Sequence, residues 1–191
     1  MQVQDSTLAK YIKSLYKLPD DTTGFSEQQV NYALSLLSPI NYALSYHSAK
    51  GHPLTFNVPN YDYSKAVGHR PWQMQILKDL TDVNKKEVNV IKSRQLGLSE
   101  VGVEALLYLA DVYSYDALKL LYAFPTYNAV KDFKKSRIDP QLANGYYSTL
   151  VDKDNNSLNQ MSIRDSRIFF RTASKAGAME GVDLNGIFFD E

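Results

Sequence analysis

The chain has no cysteine, one tryptophan, three histidines and no net charge over its 191 residues. Without cysteine there are no disulfides and no thiolate metal sites, a composition that fits an intracellular chain. The balance of 21 basic against 21 acidic residues removes overall basicity as a route to nucleic acid, so any such contact has to come from a local patch. Long apolar runs are also missing. The most apolar region, residues 101 to 124, is broken by Glu104, Asp111, Asp116 and Lys119, which argues against a membrane span. The opening "MQVQDSTLAKYIKSLYK" has no apolar core of the signal-peptide kind. What remains is 44% hydrophobic and 22% charged, the profile of a soluble globular chain with a real core.

The text divides at about residue 58. Residues 1–58 read as a helical segment and residues 59–191 as an α/β domain. In the first part, Leu8, Tyr11, Ile12, Leu15 and Tyr16 share one helical face. Ser26 and Gln29 have the spacing of a capping box before "VNYALSLL", a helix that Pro39 interrupts. Residues 51–69 carry turn-forming Gly and Pro without a steady period and read as a connection.

From Arg70 onward strands and helices alternate. "PWQMQILKDL" is a helix opened by Pro71 in its first turn, "EVNVIK" a short strand, and "SEVGVEALLYLADVY" a buried helix, apolar almost all round. "LKLLYAFP" is a second strand. "TYNAVKDFKKSRI" is a helix capped by Thr126, with Val130 and Phe133 inward and its lysines outward. Residues 140–158 read as a polar surface loop, and "QMSIRDSRIFFRT" as two strands about an Asp165-Ser166 turn. The alternation predicts a three-layer α/β fold with a mainly parallel sheet.

Between the first strand and its helix stands "KSRQLGLSE", residues 92–100. Against the phosphate-loop pattern G-x-x-x-x-G-K-[ST], Gly97 and Ser99 fit, while Leu98 holds the usual lysine position and Lys92 that of the first glycine. A phosphate loop needs converging backbone N–H groups at a helix start, a glycine for close approach and a positive charge near the phosphates. Gly97 supplies the second and Ser99 a hydroxyl for Mg2+. Lys92, at the other end of a loop that curls round the phosphates, can supply the third. An ordinary strand-to-helix turn with solvated Lys92 and Arg94 accounts for the same letters. The second signal is "GIFFDE", an apolar strand ending in two carboxylates. At the C-terminal edge of a parallel sheet, Asp190 is placed to hold Mg2+ and Glu191 to polarise an attacking water. An acidic turn after a core strand is the plain alternative.

Together, "KSRQLGLSE", "FPTYNAVKDFKKSRIDP" and "GIFFDE" resemble the N-terminal ATPase domain of bacteriophage terminase large subunits, over roughly residues 65–191. Some members of that family carry their Walker A lysine at the start of the loop, as here. The resemblance implies a P-loop NTPase of the ASCE type that binds ATP and Mg2+ and drives double-stranded DNA into a procapsid. It implies portal protein and a terminase small subunit as partners, a homo-oligomeric ring, no membrane, and a place in the host cell cytoplasm. Ser93, Arg94, Gln95, Leu96, Gly97, Leu98 and Ser99 with Lys92 would form the nucleotide loop. Trp72 would cover the base and Gln73 bond its edge. Arg94 would stabilise transition-state charge in cis, and Arg137 would be either an arginine finger or a solvated surface residue. Lys131, Lys134, Lys135 and Arg137 form a basic cluster of the kind that usually only faces solvent. Where many members have an Arg-Gly pair before the acidic strand, this chain has Glu180-Gly181.

The ASCE strand order places one further strand between the loop-bearing and acidic strands, and the family has a nuclease domain beyond it. On that pattern the 191 residues are expected to be part of a longer protein. Their sheet would have a central gap, or its two flanking strands would collapse together. An inactive fragment with an assembly role, or another DNA translocase or helicase with the same core, are the competing expectations.

Overall fold

The computed structural model describes residues 33–49, 52–54, 56, 71–92, 96–173, 181 and 183–189. The helix expected around Leu8 to Tyr16 and the Ser26 capping box lie outside them, as do Ser93, Arg94, Gln95, Asp190 and Glu191. Residues 33–37 are helical, and Pro39 does more than interrupt. It opens a second helix, α1 (Pro39–Tyr46), for which the Ser38 hydroxyl accepts from the Asn41 N–H at 3.4 Å. Proline suits this first turn because its missing N–H has no partner to lose. Two short strands follow, β1 (Ser48–Ala49) and β2 (His52–Pro53), paired antiparallel.

Next come α2 (Pro71–Thr81), α3 (Leu98–Val112), β3 (Lys119–Phe124) and α4 (Tyr127–Phe133), in the expected order. Thr126 caps α4 through the Ala129 N–H at 3.2 Å, and Val130 and Phe133 are buried. Then α4 widens into a π-helical turn at Lys134–Ile138 and passes into α5 (Asp139–Ala143). Residues 140–158 are therefore more structured than a surface loop. Gln141, Leu142 and Tyr147 are buried there, and β4 (Val151–Asp152) joins the sheet. The hairpin β5 (Gln160–Ile163) and β6 (Ser166–Thr172) turns at Arg164-Asp165, one residue earlier than expected. Arg164 takes the left-handed conformation at φ 50°, and Ser166 already sits buried in the strand. Last is β7 (Gly186–Phe189).

The sheet has five strands in the order β4-β5-β6-β3-β7. β3 pairs parallel with both β6 and β7, while the β4–β5 and β5–β6 ladders are antiparallel. The class is α/β with a mixed sheet whose longest ladder is parallel. The strand expected at "EVNVIK" does not form. Residues 87–92 lie in no ladder, and Ile91 is fully exposed at 103%. A strand needs a partner to be stable. Both edges of β3 are already taken, and β7 pairs with β3 alone among the described residues. Among the described residues nothing pairs with the outer edge of β7, and Phe189 is 69% exposed.

One core cluster joins α3, β3, β5 and β6 through Leu106, Leu107, Leu120, Ile163, Ile168 and Phe170. Residues on both sides of position 58 share it, since Leu36 and Tyr42 pack in it. Tyr42 meets Tyr46, Tyr108, Tyr146 and Tyr147 edge-on at ring separations of 5.1 to 6.0 Å. Such T-shaped contacts add to the burial of the rings themselves. Among the described residues, no helix is long and apolar enough to cross a membrane.

Candidate functional site at the start of α3

Gly97 precedes α3 with φ 75° and ψ 16°, a left-handed conformation that an L side chain adopts only at a cost. The sequence-predicted glycine is thus required by the backbone. Among the described residues no side chain caps α3. The opening N–H groups of this 15-residue helix are left to whatever stands before it. Ser99 is half-buried in the first turn, and Lys92 is half-buried beyond the three loop residues that are not described.

α2 supports the loop from behind. Gln73 is buried, and its amide Nε2 donates to the Leu96 carbonyl at 2.7 Å. Its amide nitrogen is therefore engaged by the loop backbone, a role that the expectation of a base-edge contact did not include. Trp72 next to it is 38% exposed.

The acidic strand ends near the same place. Leu98 and Phe188 pack on one apolar cluster formed by Ala43, Phe56, Leu77, Val101 and Ala105. Phe188 also stacks on Tyr122 of β3 with ring centroids 5.8 Å apart. A Cβ added to Gly102 would stand 2.7 Å from the Tyr122 hydroxyl, so the opening turns of α3 lie over the C-terminal half of β3. The β3–β7 register, with Ala123 beside Phe189, brings the end of β7 to that same C-terminal edge.

The strongest electrostatics in this region centre on Glu100 and Glu104, for which the sequence suggested no role in the site. Glu100, in the first turn of α3, accepts from His47 Nε2 through Oε1 at 2.9 Å and from Arg137 Nη1 through Oε2. Burial pushes the Glu100 carboxyl up, but His47 and Arg137 together hold it below its ordinary value. Arg137 is therefore engaged within its own chain, with its side chain 38% exposed. One turn further on, Glu104 is 2% exposed and its Oε2 has no hydrogen-bond partner. Burial, and then the negative charge of Glu100, push its carboxyl up to about 8. The sequence did carry a signal. A glutamate pair four residues apart, on a helix apolar almost all round, has to place at least one carboxylate in the core.

Asp111, at the far end of α3, is also buried but fully supported. It accepts from the hydroxyls of Tyr42 and Tyr146, each at 2.8 Å, and from Arg164 Nε at 2.5 Å. Among the described residues no three His, Cys, Asp or Glu side chains gather as a metal site. Compared with protein-family models, with curated proteins and with solved structures, the chain matches none of them.

Proposed function

We propose that the chain carries the nucleotide-binding part of a P-loop ATPase, and that it works as the motor portion of a terminase large subunit that moves double-stranded DNA into a procapsid. One observation carries this reading. The uncapped, glycine-started end of α3 and the end of β7 pack on a common apolar cluster through Leu98 and Phe188. That packing supports a site at the edge of the sheet where α/β proteins take their ligands.

The chemistry available fits a magnesium nucleotide. Lys92 and the backbone of residues 96–99 would hold the phosphates, with Ser99 and Asp190 as ligands for Mg2+. The metal, when bound, neutralises charge on the phosphate oxygens. Glu191 would orient the attacking water, and Arg94, within the loop, would stabilise transition-state charge in cis. Portal protein, a small terminase subunit and other copies of the chain in a ring are the partners that go with this reading.

A second reading is favoured by a specific observation: residues 87–91, which lead into the loop, lie in no ladder among the described residues, and Ile91 is fully exposed. The lack of a paired strand there suits a piece that assembles with others and turns over no ATP by itself. Titration of the 191-residue chain with a fluorescent ATP analogue and Mg2+ separates the two. Saturable binding that Lys92→Ala weakens at least tenfold supports the nucleotide site, since no other lysine stands in the loop. Binding by Lys92→Ala equal to that of the unmodified chain would overturn it, and so would the absence of binding by both.

A further inference from the structure

Away from α3, a cleft of about 450 Å³ opens between the π-helical turn with α5 on one side and the loop after β4 on the other. Its polar lining is Lys134, Lys135, Asp139, Lys153, Asn156 and Ser157. The expectation that the lysines of this helix all face outward fails at Lys134, which is only 4% exposed. Its ammonium donates to Asp139 Oδ1 and to Asn156 Oδ1, each at 2.8 Å. An ammonium has three N–H donors, and among the described residues the third has no acceptor. A buried charge short of one hydrogen bond is costly, and an anion in the cleft would relieve that cost.

The rest of the lining has the same bias. Lys135 and Lys153 are exposed, come from opposite walls, and make no ion pair among the described residues. Asn156 turns its oxygen to Lys134, which leaves its amide N–H groups as further donors. The one carboxylate lining the cleft, Asp139, is committed to Lys134. Asp152 and Asp154 flank Lys153 in sequence but do not line the cleft, and Asp152 is occupied within its turn by Asn155 and by the Asp154 N–H. Leu142, Val151 and Leu158 complete the walls with apolar surface. The cleft is therefore rich in donors, poor in acceptors and partly apolar, within the size range of small-molecule sites.

We propose that this cleft binds a small phosphorylated ligand, with its phosphate held between Lys134, Lys135 and Lys153 and its organic part against the apolar wall. It is separate from the loop before α3 and does not depend on what that loop does. Calorimetric titration with inorganic phosphate and with phenyl phosphate tests it on three proteins: the unmodified chain, Lys92→Ala, and the double variant Lys135→Ala/Lys153→Ala. The exposed, unpaired lysines make the double variant safe for folding. Phenyl phosphate should bind more tightly than phosphate, and the double variant should weaken it at least tenfold while Lys92→Ala leaves it unchanged. Absence of saturable binding by the unmodified chain would overturn the proposal. Loss of binding in Lys92→Ala alone would overturn it too, by moving the phosphate to the α3 loop. Displacement of phenyl phosphate by a short duplex oligonucleotide more effectively than by the same concentration of free phosphate would refute the small-ligand assignment and point to a nucleic-acid backbone.

Discussion

Glu104 makes the energetics of α3 measurable. Its carboxyl is pushed from the ordinary 4.5 up to about 8, by burial first and by Glu100 second. Between those two pH values the folded chain keeps a proton that the unfolded chain has released. Stability therefore falls as pH rises through this window, and is level above and below it. The interval is about 3.5 pH units, each equivalent to about 1.4 kcal/mol, so the full loss is about 5 kcal/mol. At pH 7 about 3 kcal/mol of it has been spent, a large share of the stability of an ordinary domain. Glu104→Gln keeps the shape and removes the titration. A buried amide has hydrogen-bonding needs of its own, which subtract about 1–3 kcal/mol at every pH. The informative quantity is thus the slope. Urea unfolding at pH 5, 6, 7 and 8 should show the unmodified chain losing about 1.4 kcal/mol per pH unit relative to Glu104→Gln. Parallel curves for the two proteins would show that Glu104 is ionised when folded, and the account of its burial would be wrong.

Two further substitutions test how α3 is held. Arg137→Ala removes one of the two donors to Glu100, and because Arg137 is partly exposed the loss should be about 1–2 kcal/mol, read from the urea midpoint. The same variant should let the Glu100 carboxyl rise towards its ordinary value by NMR titration, and an unmoved titration would mean that the pair does not persist in solution. Gly102→Ala would bring a methyl against the buried hydroxyl of Tyr122, whose ring is stacked between Phe124 and Phe188. The ring has no free side to move to, so overpacking should cost about 1–3 kcal/mol, and an unchanged melting temperature would show that β3 and α3 stand further apart.

The elements with local causes were legible in the sequence. Pro71 starts α2, Thr126 caps α4, and the apolar run at 119–124 forms β3, because each of these depends on a few neighbouring residues. Residues 87–92 had the right composition for a strand and still failed, since a ladder needs a partner that no local pattern supplies. Lys134 was misread for a related reason. The π-helical turn rotates the residues beyond Phe133, and the acceptors that bury the ammonium are Asp139 and Asn156. In the candidate site, Gly97 was readable from its position before a helix. The support that Gln73 gives to Leu96 was not, because it joins segments 23 residues apart.

The three carboxylates of α3 show why sequence position alone does not set the behaviour of a charge. All lie on one helix in a largely apolar setting, yet they reach different states. Glu100 is held ionised by His47 and Arg137, and Asp111 is met by two tyrosine hydroxyls and the Arg164 guanidinium. Glu104, between them, has no counter-charge among the described residues and retains its proton into neutral pH. Each outcome is decided by partners 35 to 69 residues away in the chain, or by their absence. The consequence is mechanical. α3 is tied at its first turn to His47, just past α1, and to the π-helical turn, and at its last to α1 and to the β5–β6 turn. Sliding the helix along its axis would break a buried ion pair at one end or the other, whereas nothing polar resists at Glu104. The Gly97 end of α3 is therefore fixed in place by distant charges.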